Sequence, residues 1–440
     1  MLRISDPKKG DNMDIGASNA FYLYMGKNDK AAVMQYQYVL DEIIDIDRLK
    51  EAVSQAIERM PVFGVQPFLD GSGKLVAQKN EKDVPVFSGD EKYLHLGTNE
   101  TNGYLFCVWV NDSMVSVCSS HALSDGRGIF FFSQLVIYEY LLLSGCDMSD
   151  ASVLFCDDNK GRGTVSASLA DICAGIDAVP DTNMYIPQNV FAIPEKCVHE
   201  GTAYTKDLVL TWDQDSLMKI VHGLQTTPVC FMAALVAEAI KCNYDTGDKT
   251  IVASVPVDMR AMLETDAQSN FTSNISLPYD TSFDDLDMNE KTARLRASLK
   301  GQATRDNLVS GIKSFAPVVS MIASQPLDDP EALKKLFGDG EAPITRTYLL
   351  SNIGAVSFPQ KLDEHIKAFS LRGTNLESAP AYVLLSYRNT GMLIIQQNYD
   401  SKDLPESIKK KLEEYGVQTE LTDNGCTRCH FVDPKLFDRI

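Results

Sequence analysis

The chain has 440 residues, 44% of them hydrophobic and 23% charged, with a formal net charge of -19 at neutral pH. The hydrophobic content excludes a disordered chain, and no apolar run reaches the length of a membrane helix. The acidic balance excludes a partner recruited by overall positive charge, such as nucleic acid or an anionic membrane. The length suits two or three domains, or two similar halves. The first ten residues carry charge but no apolar stretch of the kind a secretory signal needs, so a cytoplasmic protein is expected. The ten cysteines are then expected to be reduced. Those inside apolar runs, Cys107, Cys118 and Cys230, read as buried small hydrophobes.

In chain order, residues 1–20 are polar and read as loop or edge structure. A strand is expected over Val33 to Leu40. Asp45 can cap a helix whose apolar positions, Leu49, Val53, Ala56, Ile57 and Met60, recur at helical spacing until Pro61 stops it. Gly71-Ser72-Gly73 marks a turn before a strand from Lys74 to Gln78. Tyr104 to Val110 and Met114 to Ser120 alternate like strands and are joined as a hairpin at Asn111-Asp112. Ile129 to Leu143 reads as a buried helix. Turn-forming residues accumulate between 144 and 200, marking a crossover with a short helix near 166–179. The second half opens with a strand, Thr205 to Thr211, and a helix, Gln214 to Gly223. Thr227-Pro228 then starts another helix, with proline at its first position.

Further strands are expected at Thr250 to Val257, Thr345 to Ser351, Ile366 to Leu371, Tyr382 to Tyr387 and Met392 to Tyr399, with a strand or bend at Asn270 to Leu277. Residues 283–303 read as an amphipathic helix carrying Lys291, Arg294, Arg296 and Lys300, and the last helix spans Pro405 to Tyr415. The predicted organisation is a half over 1–150, a crossover over 151–200 and a half over 201–440. Strands and helices mix without strict alternation, which predicts an α+β fold with mixed sheets.

The stretch that carries chemistry is Ser119-Ser120-His121-Ala122-Leu123-Ser124-Asp125-Gly126-Arg127-Gly128. It sets a histidine where a strand gives way to a helix: the strand fixes its position and the turn exposes its ring. An imidazole near its ordinary pKa is a general base at neutral pH. The alternative is a structural histidine with Asp125 as a helix cap. Gly126 and Gly128 suit close backbone approach or unusual dihedrals. Cys426-Thr427-Arg428-Cys429-His430 has the spacing of a c-type haem attachment. It is set aside for want of an export signal, and a single Cys-x-x-Cys lacks the second pair a zinc site wants. No metal and no permanently bound cofactor is expected.

The His-x-x-x-Asp-Gly string resembles the histidine motif of the acyltransferase superfamily that includes chloramphenicol acetyltransferase, condensation domains and the plant BAHD enzymes. Three later segments follow in the family's order. Val255-Pro256-Val257-Asp258-Met259-Arg260 resembles its "V-N-x-R" strand end, and Ser269-Asn270-Phe271 its "G-N-F" segment without the glycine. Thr347-Tyr348-Leu349-Leu350-Ser351-Asn352-Ile353-Gly354 resembles the "S-N-h-G" strand of alcohol acetyltransferases. The plant "D-F-G-W-G" signature is absent. Ser120 stands where condensation domains carry a second histidine, so the resemblance is nearer to alcohol acetyltransferase-like members.

The resemblance implies two chloramphenicol-acetyltransferase-like halves packed as a V-shaped pseudo-dimer, with a channel between them and His121 at its middle. It implies transfer of an acetyl or short acyl group from coenzyme A, as acyl-CoA co-substrate, to a small-molecule hydroxyl or amine. His121 would be the general base. Ser351, Asn352 and the amides near Gly126 would be oxyanion donors, with a strand-end turn as the alternative for Ser351-Asn352. Asp125 would be structural, paired with Arg260 of the other half; the alternative is two surface residues that never meet. Lys291, Arg294, Arg296 and Lys300 could hold coenzyme A phosphates or be a solvated helix face. A stand-alone condensation enzyme fed by an acyl carrier protein, or a non-catalytic binding member, are the other readings. A monomer is expected. Phe130, Tyr382 and Met392 are candidate channel-lining residues whose spatial order the sequence does not give.

Overall fold

The computed structural model describes residues 22–23, 33–69, 75–92, 94–151, 168–180, 185–195, 204–265, 267, 269–323, 344–374, 379–428 and 431–432. The expected turn at 71–73 and much of the crossover lie outside these residues, as do Cys156, Cys197, Cys429 and His430.

In the first part of the chain, β1 (Val33–Leu40) leads into α1 (Ile46–Arg59), then β2 (Val65–Leu69), β3 (Leu75–Lys79), β4 (Val86–Ser88), β5 (His95–Leu96), β6 (Phe106–Asn111), β7 (Met114–Ser120) and α2 (Gly126–Leu143). A short α3 (Leu169–Ala174) falls in the crossover. Then come β8 (Tyr204–Asp213), α4 (Gln214–Gly223), α5 (Pro228–Asn243), β9 (Ile251–Asp258), β10 (Thr272–Tyr279), α6 (Met288–Gln302) and α7 (Arg305–Ala323). The chain closes with β11 (Tyr348–Val356), α8 (Gln360–Glu364), β12 (Ile366–Gly373), β13 (Ala381–Tyr387), β14 (Thr390–Gln397), α9 (Asp403–Glu414), β15 (Thr419–Arg428) and β16 (Phe431–Val432).

The expected caps operate locally. The Asp45 carboxylate accepts from the amides of Asp47 and Arg48, and the Thr227 hydroxyl from that of Cys230, satisfying N–H groups that the helix itself leaves bare. α7 and β15 escape the sequence reading. α7 carries Pro317 inside it, which reads as a break. β15 is polar along most of its length and lies at a sheet edge, so it shows no apolar alternation.

Two mixed sheets organise the molecule, each with its own core. The five-stranded sheet runs β12-β1-β7-β6-β4, antiparallel except for β4 against β6. The seven-stranded sheet runs β10-β9-β11-β13-β14-β8-β15, with β11 parallel to both neighbours. α1 and α2 contribute Leu49, Val53, Ala56, Phe132 and Val136 to the first core. The Tyr36 hydroxyl donates to the Gly126 carbonyl at 2.7 Å, and the hydroxyls of Tyr38 and Ser133 lie 2.7 Å apart, tying β1 to α2. α5, buried nearly all round, is the spine of the second core, where the Tyr348 hydroxyl donates to the Ala233 carbonyl.

The sheets do not divide where the sequence suggests. β12 belongs to the second half by position, yet it pairs along β1, with Phe369 opposite Tyr38. Leu362, Ile366, Phe369 and Leu371 enter the first core, and β16 pairs with β5. A periodic apolar pattern says that a strand is half buried but not against which sheet.

No single helix among the described residues is long and apolar enough to cross a membrane. α4 and α5 pass together on composition, but they meet at 91° and α5 is core.

Candidate active site

His121 follows the last residue of β7, in the turn before α2. β1 and β6 flank β7 on both sides, so the strand that delivers the ring is held from either edge. The imidazole is partly buried. Its Nδ1 is shut off from solvent and has no hydrogen-bond partner among the described residues. The Tyr22 ring stacks on it, with centroids 4.0 Å apart and planes 17° apart. Burial pushes the His121 pKa below its ordinary 6.5, opposed by the Asp125 charge, the residue's own backbone and the Asn270 side chain. The ring is therefore neutral, and able to take a proton, at pH 7. Tyr22 is itself pushed up to about 12 by burial and by Asp125, with Arg346 opposing.

Asp125 is fully buried and its carboxylate is fully used. Oδ1 accepts from the Gly128 amide at 3.0 Å, capping α2, and from Arg260 Nη2 at 3.0 Å. Oδ2 accepts from the Phe271 amide at 2.8 Å. Arg260 comes from just beyond β9, in the other lobe, and is also buried. It donates to the carbonyls of Ala267 and Ser269 at 2.6 and 2.7 Å and to Asp258 at 3.0 Å, with its guanidinium over the Phe271 ring. One residue earlier than Phe271, Asn270 Nδ2 donates to the His121 carbonyl at 2.9 Å. Asn270 and Phe271 of one lobe thus grip the histidine turn of the other at two points, the His121 carbonyl and the Asp125 carboxylate, and Arg260 ties that carboxylate to the carbonyls of Ala267 and Ser269.

A second ion pair crosses the same seam. Arg127 on α2 reaches Asp258, 2.5 Å away. Burial alone would raise the Asp258 pKa, but the Arg260 amide and guanidinium together with Arg127 hold it below the ordinary value. Arg127 and Asp258, which stand in the motif strings without a role, and Tyr22 are site residues that the motif reading did not single out. The available signals were an arginine inside the motif itself and an aromatic run, Phe21-Tyr22-Leu23-Tyr24, in an otherwise polar segment.

Gly126 and Gly128 have no positive φ, so unusual dihedrals do not explain them. A Cβ on Gly126 would meet only Met34 Sδ at 3.4 Å and the Tyr36 hydroxyl at 3.5 Å, ordinary contact distances. Ser351 and Asn352 lie on β11, Ser351 partly buried and Asn352 exposed. The strand slips register between Asn352 and Gly354, and Gly354 sits at φ +80°. The glycine of the "S-N-h-G" string thus makes a bulge, which re-aims the side chains before it.

The basic residues of α6 do not form one face. At helical spacing, Lys291 and Arg294 lie on one side and Arg296 and Lys300 on the other. Lys291 is buried and paired with Glu238 at 2.8 Å, Arg294 donates to Ser282, and Arg296 donates to the Gln225 carbonyl. Tyr382 is wholly buried in the second core beside Tyr348 and Met392 lies in the first, so neither is an exposed lining residue. Phe130 is partly buried between Tyr36, Phe358 and Phe369. Among the described residues no group of three or more His, Cys, Asp or Glu side chains is placed to hold a metal ion.

No family model and no curated protein matches the sequence. Solved structures do match the fold. The F. sporotrichioides TRI101 complexed with coenzyme A and T-2 superposes with a TM-score of 0.61 at 12% identity, covering 93% of this chain and 99% of that one. Polyketide synthase associated protein 5 from Mycobacterium tuberculosis gives 0.59 at 15% identity, covering 91% and 98%. The epimerization domain from the third module of tyrocidine synthetase B gives 0.57 at 11% identity, covering 94% and 98%. The chain therefore has the two-lobed α+β fold of those structures over more than nine tenths of its length.

Proposed function

We propose that the chain is an acyltransferase that moves an acyl group, acetyl or short, from a coenzyme A thioester to a hydroxyl or amine, with His121 as general base. The observation that carries the reading is the clasp at the seam: a neutral imidazole at a strand end, its turn gripped by Asp125–Arg260 and by Asn270 of the other lobe. Such an investment of buried charge around one histidine fits a group whose orientation matters. Because Nδ1 is the shut-off nitrogen, Nε2 is the one that meets substrate. It takes the acceptor proton as the acceptor oxygen or nitrogen bonds to the thioester carbonyl carbon. The C–S bond then breaks, and the proton passes to the departing sulfur. Donors near Ser351, Asn352 and the Gly126 turn would hold the oxyanion. The fold shared with a protein complexed with coenzyme A and T-2 supports the donor class.

The likeness to a peptide-synthetase domain makes a carrier-protein thioester the second reading. The test is thiol release from acetyl-CoA and longer acyl-CoAs against pools of alcohols and amines, in wild type and His121→Ala. Acceptor-dependent release that falls by about 10²–10⁴ in the variant is expected. Release at the wild-type rate in the variant overturns the assignment of the base. Turnover only with acyl groups on a carrier protein moves the donor to the second reading.

A further inference from the structure

Four charged side chains run in one series across the seam. Arg127, 67% exposed at the start of α2, pairs at 2.5 Å with Asp258, 27% exposed at the end of β9. Asp258 accepts from Arg260 Nη1 at 3.0 Å, and Nη2 of the same guanidinium donates to buried Asp125 at 3.0 Å. The charges alternate from solvent to core, and the last of them caps α2 just behind the turn that carries His121. The "V-N-x-R" string that this strand end resembles has an asparagine where this chain has Asp258. The added carboxylate shares Arg260 with Asp125, so it competes for the guanidinium that ties the histidine turn to the other lobe. Arg127 answers it from the lobe of the turn itself and brings the four charges to zero. An ion pair this exposed adds little to stability by itself, so its weight lies in what it does to the charges behind it.

The charged and titratable groups around His121 are Asp125 on its own turn, Tyr22 stacked on the ring with Arg346 acting on it, and Arg260, Asp258 and Arg127 at the seam. The Asp125 charge favours the imidazolium, and Arg260 tempers that charge only while it stays on Asp125. We propose that Arg127 is a positioning residue of the His121 centre: by neutralising Asp258 it keeps Arg260 on Asp125, and so sets the seating of the histidine turn and the charge that the ring meets. The kinetic consequence rests on His121 as the base; the coupling itself can be read without turnover.

The test is a pH titration by NMR of the full chain labelled at histidine Cε1, in which the His121 signal, one of six, is identified by its loss in His121→Ala. Arg127→Ala should raise the His121 midpoint by roughly half a unit, because it removes a positive charge and frees Asp258 to draw Arg260 from Asp125. Asp258→Asn alone should lower the midpoint, and Arg127→Ala combined with Asp258→Asn should return it to the wild-type value. Arg127→Lys, which keeps the charge, should stay near wild type. The low-pH limb of thiol release should move with the NMR midpoint in each variant. An unchanged midpoint in Arg127→Ala, or a double variant shifted as far as the single one, overturns the proposal and leaves His121 as base untouched. A limb that stays fixed while the midpoint moves counts against His121 as base and leaves the coupling standing.

Discussion

Asp125 holds the start of α2 and the far lobe with one carboxylate. Its contacts to Gly128, Arg260 and Phe271 leave no oxygen for proton transfer, so its part in any reaction is positional. Removing one member of such a buried pair leaves the other charge uncompensated, at about 3–5 kcal/mol. Asp125→Ala and Arg260→Ala should each lower the unfolding free energy read from urea titration by that order, and the double variant should cost much less than the two added together. Additive losses would mean that the pair does not act as a unit. The motif made this pair legible, because the family resemblance pointed to Arg260 from a string 135 residues away. Asp125 caps α2 and pairs with Arg260 at once, so the cap expected of a merely structural turn is present beside the pair that the resemblance implies. Arg127–Asp258 was not legible, since an exposed arginine has no pattern that names its partner.

Among the elements, β12 has the largest consequence. It crosses from the second half into the first sheet, and at its end Arg372 meets Asp207 of β8 at 3.2 Å. Asp207 is nearly fully buried, faces Asn424 and Asp423 of β15 as well, and has its pKa pushed up by burial against the pull of Arg372. A carboxyl whose folded pKa is raised binds its proton more tightly in the folded chain. Its contribution is therefore present at low pH and is lost as pH rises from the ordinary 3.8 through the folded value. At pH 7 Asp207→Asn should then cost little or raise the melting temperature. Arg372→Ala should lower stability by about 1–3 kcal/mol, because it strands a buried carboxylate. The reverse order would show that the pair is net stabilising at neutral pH. Element types and most boundaries could be read from caps and periodicity, as α4 and β1 illustrate; the destination of β12 could not, because pairing is a long-range choice between sheets.

At the scale of the whole molecule, the two lobes are laced together rather than set side by side. β12 and β16 return late residues to the first lobe, and the Asp125–Arg260 and Arg127–Asp258 pairs close the seam beside His121. A protease site engineered into 152–167 should therefore yield two fragments that elute together from a sizing column and separate only in denaturant. Fragments that part under native conditions would contradict a shared sheet. The net charge of -19 gives the molecule a field that opposes anionic donors, so any coenzyme A site must be local; on α6 the basic residues are spread round the helix, and Lys291, Arg294 and Arg296 already have partners.

The measurement that bears most directly on the central claim is the pH profile of acceptor-dependent thiol release, run on wild type and His121→Ala in parallel. A partly buried, neutral His121 acting as base predicts that kcat/KM in wild type rises with pH through a midpoint below 6.5 and is flat at neutral pH. The variant should lose both the rate and that limb of the profile. A midpoint above 7, or the same limb persisting in His121→Ala, would mean that another group takes the proton and that the clasp around His121 serves the fold alone.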